Sequence, residues 1–346
     1  MGMDNRKGSF WMQLHEHYKQ NGYVPPSQDD SDGEDEPDFD PAQFSLCFNR
    51  KPLTDELRTG VGSGALTLGG ADHMMHKTPM VYAANLSPTG GWYPVRIKAM
   101  FLKSGGGNLT ELQTSQDTKA SELIRVSAKE EVLNGSPSLD HGVIIDSGTT
   151  DTYLPSLLKE PFQEAWKHAL GDDQVYNNNL MEMSADEVKA LPTIMLVLQG
   201  HELGNIHNAD AIGMAKQHQD MLKQGRRRTE EARIGLPAIS ATDVVIAIPP
   251  EHYFEESSSE PGRFVARFYF SERYGAQSIL GSNVLMGHNL LFDNSRGRIG
   301  IAESNCDYDA YVEERSRRQV QVEGQVAGQA ALESVGEELA ESGWKK

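Results

Sequence analysis

Asp146 stands where an acid is costly. It ends the apolar run Val143-Ile144-Ile145 and opens the turn Ser147-Gly148-Thr149-Thr150, after which Tyr153-Leu154-Pro155 turns apolar again. A carboxylate at the end of a buried strand is destabilising unless it is hydrogen-bonded or has work to do. Its bland role is to satisfy its own turn. Its chemical role is proton transfer in a site. The hydroxyls of Ser147 and Thr149 are placed to bond the carboxylate or the turn, and Gly148 lets the backbone fold back tightly.

Other chemistry finds less support. His201-Glu202 and His207 hint at a zinc helix, but the histidines are six apart rather than four, with Gly204 between them, so they fall on different faces. Cys47 and Cys306 are the only cysteines, too few for a multi-cysteine metal site. No metal and no cofactor is expected. Ser104 to Asn108, SGGGN, lacks the Gly-Lys-Ser/Thr ending of a phosphate loop, and no Gly-x-Ser-x-Gly elbow occurs. The basic run Arg226-Arg227-Arg228 reads as a solvated loop, with a convertase processing site as its alternative. Asn108-Leu109-Thr110 fits a glycosylation sequon. Asn85-Leu86-Ser87 does too, but Pro88 makes it a poor acceptor.

The elements that must position Asp146 read as mostly β. Short apolar runs lie at Ala65–Leu68, Val95–Met100, Gly142–Ile145, Thr193–Leu198, Val244–Ile248, Phe264–Phe270, Ser278–Leu280 and Leu290–Phe292, flanked by Gly, Pro and Asn. Helical signals are fewer. Leu158, Phe162 and Trp166 repeat at four-residue spacing, Ser184 with Glu187 forms a capping box, and Phe10, Trp11 and Leu14 suggest a short helix. Asp29 to Asp40 carries eight acids in twelve residues and reads as a solvated loop. Gly200 to Ser240 is polar with weak periodicity. The tail after Cys306 is rich in Glu, Gln, Ala and Ser, with a possible polar helix at Gln325 to Leu339.

Beyond the single turn, several segments in order resemble the pepsin-like aspartic peptidase family. Asp146-Ser147-Gly148-Thr149-Thr150 looks like that family's second catalytic loop, and Ile279-Leu280-Gly281 like the segment packed beneath it. Leu291-Phe292-Asp293 and Arg298-Ile299-Gly300-Ile301-Ala302 resemble its closing strands. Phe44-Ser45-Leu46-Cys47, Gly64 to Gly70 and Trp92-Tyr93-Pro94-Val95 resemble the stretch joining its lobes, and Ile248-Pro249-Pro250 with Tyr253 fits as well. The likeness covers roughly residues 1 to 306.

The resemblance implies a mainly β, pepsin-like acid protease fold and an aspartic endopeptidase. In that family two aspartates share one proton and activate a water between them. Asp146 would be one of them, supported by Ser147, Gly148, Thr149, Thr150, Ile279, Leu280 and Gly281. It also implies a Cys47–Cys306 disulfide, a peptide or protein substrate, a monomer, and a secretory route to a vacuole, lysosome or the exterior. The chain departs from the pattern: Asp146-Ser147-Gly148 is its only Asp-Thr-Gly or Asp-Ser-Gly, so the first catalytic loop, like the substrate-covering flap with its tyrosine, has no candidate. Its opening resembles the middle of the first lobe, so truncation of a two-aspartate enzyme is expected. The alternative is a non-catalytic, peptidase-like binding protein. Residues 1–62 would be a remnant of the first lobe, 63–306 the catalytic lobe with an insertion at about 200–240, and 307–346 a disordered or helical tail.

Composition adds exclusions. The 346 residues allow one large domain or two ordinary ones. A net charge of −18 argues against a nucleic-acid partner. No run of 18 apolar residues would span a membrane, and the first residues hold no apolar stretch of a signal peptide.

Overall fold

The computed structural model describes residues 10–22, 40–50, 61–88, 90–104, 123–135, 142–206, 216, 240, 242–271, 278–308, 310–313 and 315–317. The acidic run 29–39, Asn108, His207, Arg226 to Arg228 and Gln325 to Leu339 lie outside the described residues. Two compact units are present, Met1–Cys306 and Asp307–Lys346.

In the first unit the chain runs through α1 (Phe10–Gln20), β1 (Gln43–Arg50), β2 (Val61–Leu68), β3 (Val81–Ala84), β4 (Pro94–Val95), β5 (Ile97–Lys103) and β6 (Leu123–Arg125). Then come α2 (Glu130–Asn134), β7 (Val143–Ile145), β8 (Thr152–Leu154), α3 (Lys159–Leu170), β9 (Met181–Glu182), α4 (Ala185–Lys189), β10 (Thr193–Leu198) and α5 (Glu202–Ile206). It ends with β11 (Val244–Ile248), α6 (Pro250–Tyr253), β12 (Phe254–Glu256), β13 (Arg263–Ala266), β14 (Phe268–Phe270), β15 (Ile279–Leu280), α7 (Ser282–Leu285), β16 (His288–Asp293) and β17 (Arg298–Glu303). The unit is mainly β, as expected from the apolar runs, and most strand pairs are antiparallel.

Two sheets build most of the core. In the sheet ordered β2-β1-β16-β17-β3, the row Leu68–Phe44–Phe292–Ile299–Ala83 crosses all five strands. Alternation decides which face each residue serves. Ile299 and Ile301 enter the main core, while Ala302 packs on the other face with Met80, Tyr82 and Leu291. Phe44 stacks on Phe292 at 4.7 Å, with Tyr93 4.5 Å from the same ring. In the sheet β11-β10-β5-β6, Ile194, Leu196 and Leu198 face the main core, whereas Met195 and Val197 join Phe101 and Val245 on the far face. Both faces are buried, which is why Thr193–Leu198 and Val244–Ile248 read as unbroken apolar runs. These two strands pair antiparallel, Ile194 opposite Ile248.

The helices follow their signals. α3 buries Phe162 and Trp166 from one stripe. Ser184 accepts from the Glu187 N–H, and the Glu187 side chain bonds back to the Ser184 N–H, a complete capping box.

Several expectations need correction. Val95–Met100 is not one strand. It breaks at Arg96, where the chain leaves one sheet for another; the Asn134 side chain bonds both the N–H and the C=O of Ile97 just past the break. Phe264–Phe270 breaks likewise at Arg267. Asp40, read as the end of a solvated acidic loop, is buried. It accepts from Ala42 N–H and lies 3.8 Å from Arg296. The excursion expected from about 200 starts later, because α5 packs down. Buried Asn205 accepts from Tyr82 N–H and donates to the carbonyls of Tyr82 and Thr242. The boundary drawn at 62/63 falls inside β2, which pairs with β1.

In the second unit, the described residues from 308 to 317 are helical, and Arg317 pairs with Glu313 one turn away.

Candidate functional site

A five-stranded sheet ordered β14-β8-β15-β7-β4 carries Asp146. β7 and β8 are consecutive in the chain but do not pair. β15 lies between them, parallel to β7 and antiparallel to β8. The turn that joins β7 to β8 therefore has to bridge the width of an inserted strand, and Asp146 sits at its start. The ladder extends into the turn: Ile144 N–H donates to Ser278 C=O at 2.9 Å and Asp146 N–H to Leu280 C=O at 3.0 Å.

The carboxylate is fixed by its own turn. Gly148 N–H donates to Oδ1 at 2.9 Å, and the Thr149 hydroxyl donates to Oδ2 at 2.7 Å. Thr149 N–H also reaches the Asp146 carbonyl at 3.3 Å. Gly148 serves differently from expectation. Its backbone is not left-handed; a Cβ there would lie 3.1 Å from Asp146 Oδ1, so the missing side chain lets its N–H approach the carboxylate. Ser147 is exposed, and among the described residues no hydrogen bond ties its hydroxyl to the carboxylate.

The far side of the turn is stitched to α7. Ser282 N–H donates to Thr149 C=O at 2.7 Å, Asn283 N–H to Thr150 C=O at 3.2 Å, and Gly281 N–H to the Thr152 hydroxyl at 3.1 Å. Gly281 must be glycine: a Cβ would sit 2.2 Å from the Asp151 carbonyl oxygen and 2.7 Å from that of Thr149. Ile279 and Leu280 are buried, Leu280 in the main core. The structure thus brings Asp146, Gly148, Thr149, Thr150, Ile279, Leu280 and Gly281 together.

Two neighbours of the turn were not named as site residues from the sequence. The first is the segment Tyr93–Val95. Register puts Val95 opposite Val143 and Pro94 opposite Ile144, and Ile145 N–H donates to Tyr93 C=O. Tyr93, Val95, Val143 and Ile145 all face the core. Trp92, just before Tyr93, is 48% exposed. The second is an ionic group. Arg267 meets Asp151 and Glu255, and the Tyr153 hydroxyl donates to Asp151 Oδ2 at 3.3 Å. Tyr269 stacks on Tyr153 at 5.2 Å, and burial, with the charge of Asp151 second, pushes its phenol above the ordinary value. A pocket of about 200 Å³ opens between this group and α6, lined by Thr150, Asp151, Glu251, His252, Arg267 and Met286. The signal for Arg267 was available, a lone charge inside the apolar run Phe264–Phe270.

The remaining candidates are placed as follows. Cys47 and Cys306 form the expected disulfide, Cα atoms 5.2 Å apart and 259 residues distant in sequence. The Asn85 side chain is buried and accepts from Ser87 N–H, so that sequon holds a turn. His201 Nδ1 accepts from Gly204 N–H. Among the described residues, no group of three or more His, Cys, Asp or Glu is arranged to hold a metal, and no helix is long and apolar enough to cross a membrane.

Neither a protein-family model nor a curated protein matches the chain.

Proposed function

We propose that this chain is one lobe of an aspartic endopeptidase of the pepsin-like kind, with Asp146 as one of its two catalytic carboxylates. One observation carries the reading. A carboxylate at a strand end accepts from Gly148 N–H and the Thr149 hydroxyl, on a turn braced by a hydrophobic-hydrophobic-Gly strand inserted between the two strands it joins. A side chain that served only its turn would not need a second strand beneath it with a glycine at contact distance.

In peptide-bond hydrolysis by such a pair, the two carboxyls are too close to ionise together and share one proton. The ionised member takes a proton from a bound water, which attacks the scissile carbonyl. The protonated member gives its proton to the carbonyl oxygen, and the tetrahedral adduct collapses with the proton passing to the leaving amine. Gly148 and Thr149 fix Asp146 for this role.

Asp146 is the chain's only acid in an Asp-Ser/Thr-Gly setting. The second carboxylate therefore comes from outside these 346 residues, and this chain alone hydrolyses no peptide. The same fact favours a second reading, a non-catalytic binding protein that keeps the lobe. The disulfide supports a secretory route, where such bonds persist.

The test has two parts. The transcript is sequenced upstream of Met1, and proteolysis at acid pH is measured on the extended chain with and without Asp146→Asn. An in-frame Asp-Thr-Gly or Asp-Ser-Gly lobe with pepstatin-sensitive cleavage lost in the variant supports the enzyme. Cleavage unaffected by Asp146→Asn rejects it. An upstream sequence with no such motif, and no cleavage, favours the binding protein.

A further inference from the structure

The apolar run Phe264–Phe270 is broken by one charge, and that charge faces the segment leaving the Asp146 turn. Arg267 Nε lies 2.7 Å from Asp151 Oδ1 and 2.9 Å from Glu255 Oε2. Neither contact is an aligned hydrogen bond, so what joins these atoms is attraction between charges. The side chains of Arg267 and Asp151 are only 26% and 14% exposed, which shields the attraction from water.

The main chain of Arg267 grips the same place. Its carbonyl accepts from Thr152 N–H at 3.1 Å and from Asn283 Nδ2 at 3.3 Å, and its N–H donates to Tyr253 C=O at 2.7 Å. Residues 149–152 are therefore held on one side by the backbone of 281–283 and on the other by Arg267.

We infer that Arg267 is a positioning residue for Asp146: its guanidinium, bridging Asp151 and Glu255, fixes the end of the turn whose start bears the carboxylate. Asp151 lies five residues beyond Asp146, and the turn between them carries both hydrogen bonds to the carboxylate. Without the guanidinium the end of the turn is held by main-chain bonds alone, which leaves Gly148 and Thr149 freer to drift from Asp146. The main-chain bonds of Arg267 survive loss of its side chain, so the fold persists while the turn loosens. The catalytic meaning of this device rests on the proposed role of Asp146; the device itself does not.

Amide hydrogen exchange on the folded chain tests it, reading Gly148 and Thr149 against Val197 and Ile246 as references. Arg267→Met keeps the apolar stem and removes the charge. Exchange at Gly148 and Thr149 should quicken roughly three- to tenfold with the references unchanged. Asp151→Asn should do the same, and the double variant should add little. Arg267→Lys should restore part of the protection. Salt separates charge from packing. In 1 M salt, where the screening length is about 3 Å, this partly buried pair is screened only in part, so the wild-type turn should loosen slightly and the Arg267→Met turn should not change further. Unchanged exchange in Arg267→Met, equal quickening of the references, or a salt response that survives the substitution would each overturn the inference. An extended chain that still cleaved substrate with Asp146→Asn would reject the catalytic reading and leave this one standing.

Discussion

Gly281→Ala probes the contact on which the whole turn rests. The new Cβ would lie 2.2 Å from the Asp151 carbonyl oxygen and 2.7 Å from that of Thr149. Carbon and oxygen rest at about 3.5 Å, so the two backbones must part by about 1 Å. Both obstacles are main-chain atoms with no rotamer to escape into. The bonds that span this gap are Ser282 N–H to Thr149, Asn283 N–H to Thr150 and Gly281 N–H to the Thr152 hydroxyl. Losing three at about 1 kcal/mol each gives about 3 kcal/mol, the upper end of the usual cost of overpacking. Urea unfolding should show a lower midpoint at an unchanged slope, and amide exchange at Asp146 to Thr152 should quicken. Gly148→Ala is the control. Its Cβ would meet a side-chain oxygen of Asp146 at 3.1 Å, which can rotate aside, so about 1 kcal/mol is expected. A Gly281→Ala loss below about 0.5 kcal/mol with the turn still protected would refute the claim that close backbone approach holds Asp146 in place.

Removing the disulfide by Cys47→Ser with Cys306→Ser opens a link across 259 residues, and should lower stability by about 5 kcal/mol in the chain-entropy account; thermal unfolding with and without reductant measures it. Asp293 is fully buried and contacts both Arg296 and Arg298, so Asp293→Asn should cost about 3–5 kcal/mol by robbing two buried guanidiniums of their shared carboxylate, a loss that urea unfolding at neutral pH would register. Burial first, then the nearby charge of His73, lowers His76 from 6.5 to about 4. Between those values the unfolded chain binds the proton that the folded chain refuses, so stability falls as the pH drops from about 6.5 to about 4. His76→Gln should flatten that slope, and urea midpoints at several pH values across the window would reveal a slope that stayed the same.

Much of the site was legible in the chain itself. An apolar run ending in Asp-Ser-Gly-Thr-Thr implies a strand feeding an acid into a turn, and the turn places Gly148 and Thr149 on the carboxylate through contacts two and three residues apart. The Ser184–Glu187 cap and the Leu158–Phe162–Trp166 stripe were equally local. Thr193–Leu198 and Val244–Ile248 read as strands from their unbroken apolar runs, and the structure buries both faces of each. What stayed hidden depends on partners far away in sequence. Arg96 and Arg267 interrupt apolar runs, and only the sheets on either side show that the chain changes layer there. Asp40 reads as one more acid in an acidic run until the turn between β16 and β17 brings Arg296 and Ser295 to it from more than 250 positions away. Tyr93 gains its place beside Ile145, one residue before Asp146, from the register of β4 on β7, which no local pattern encodes. Short-range hydrogen bonds and periodicity are written in consecutive residues. Register, layer changes and buried charge pairs arise only when distant segments meet, and these features were decided by the tertiary structure.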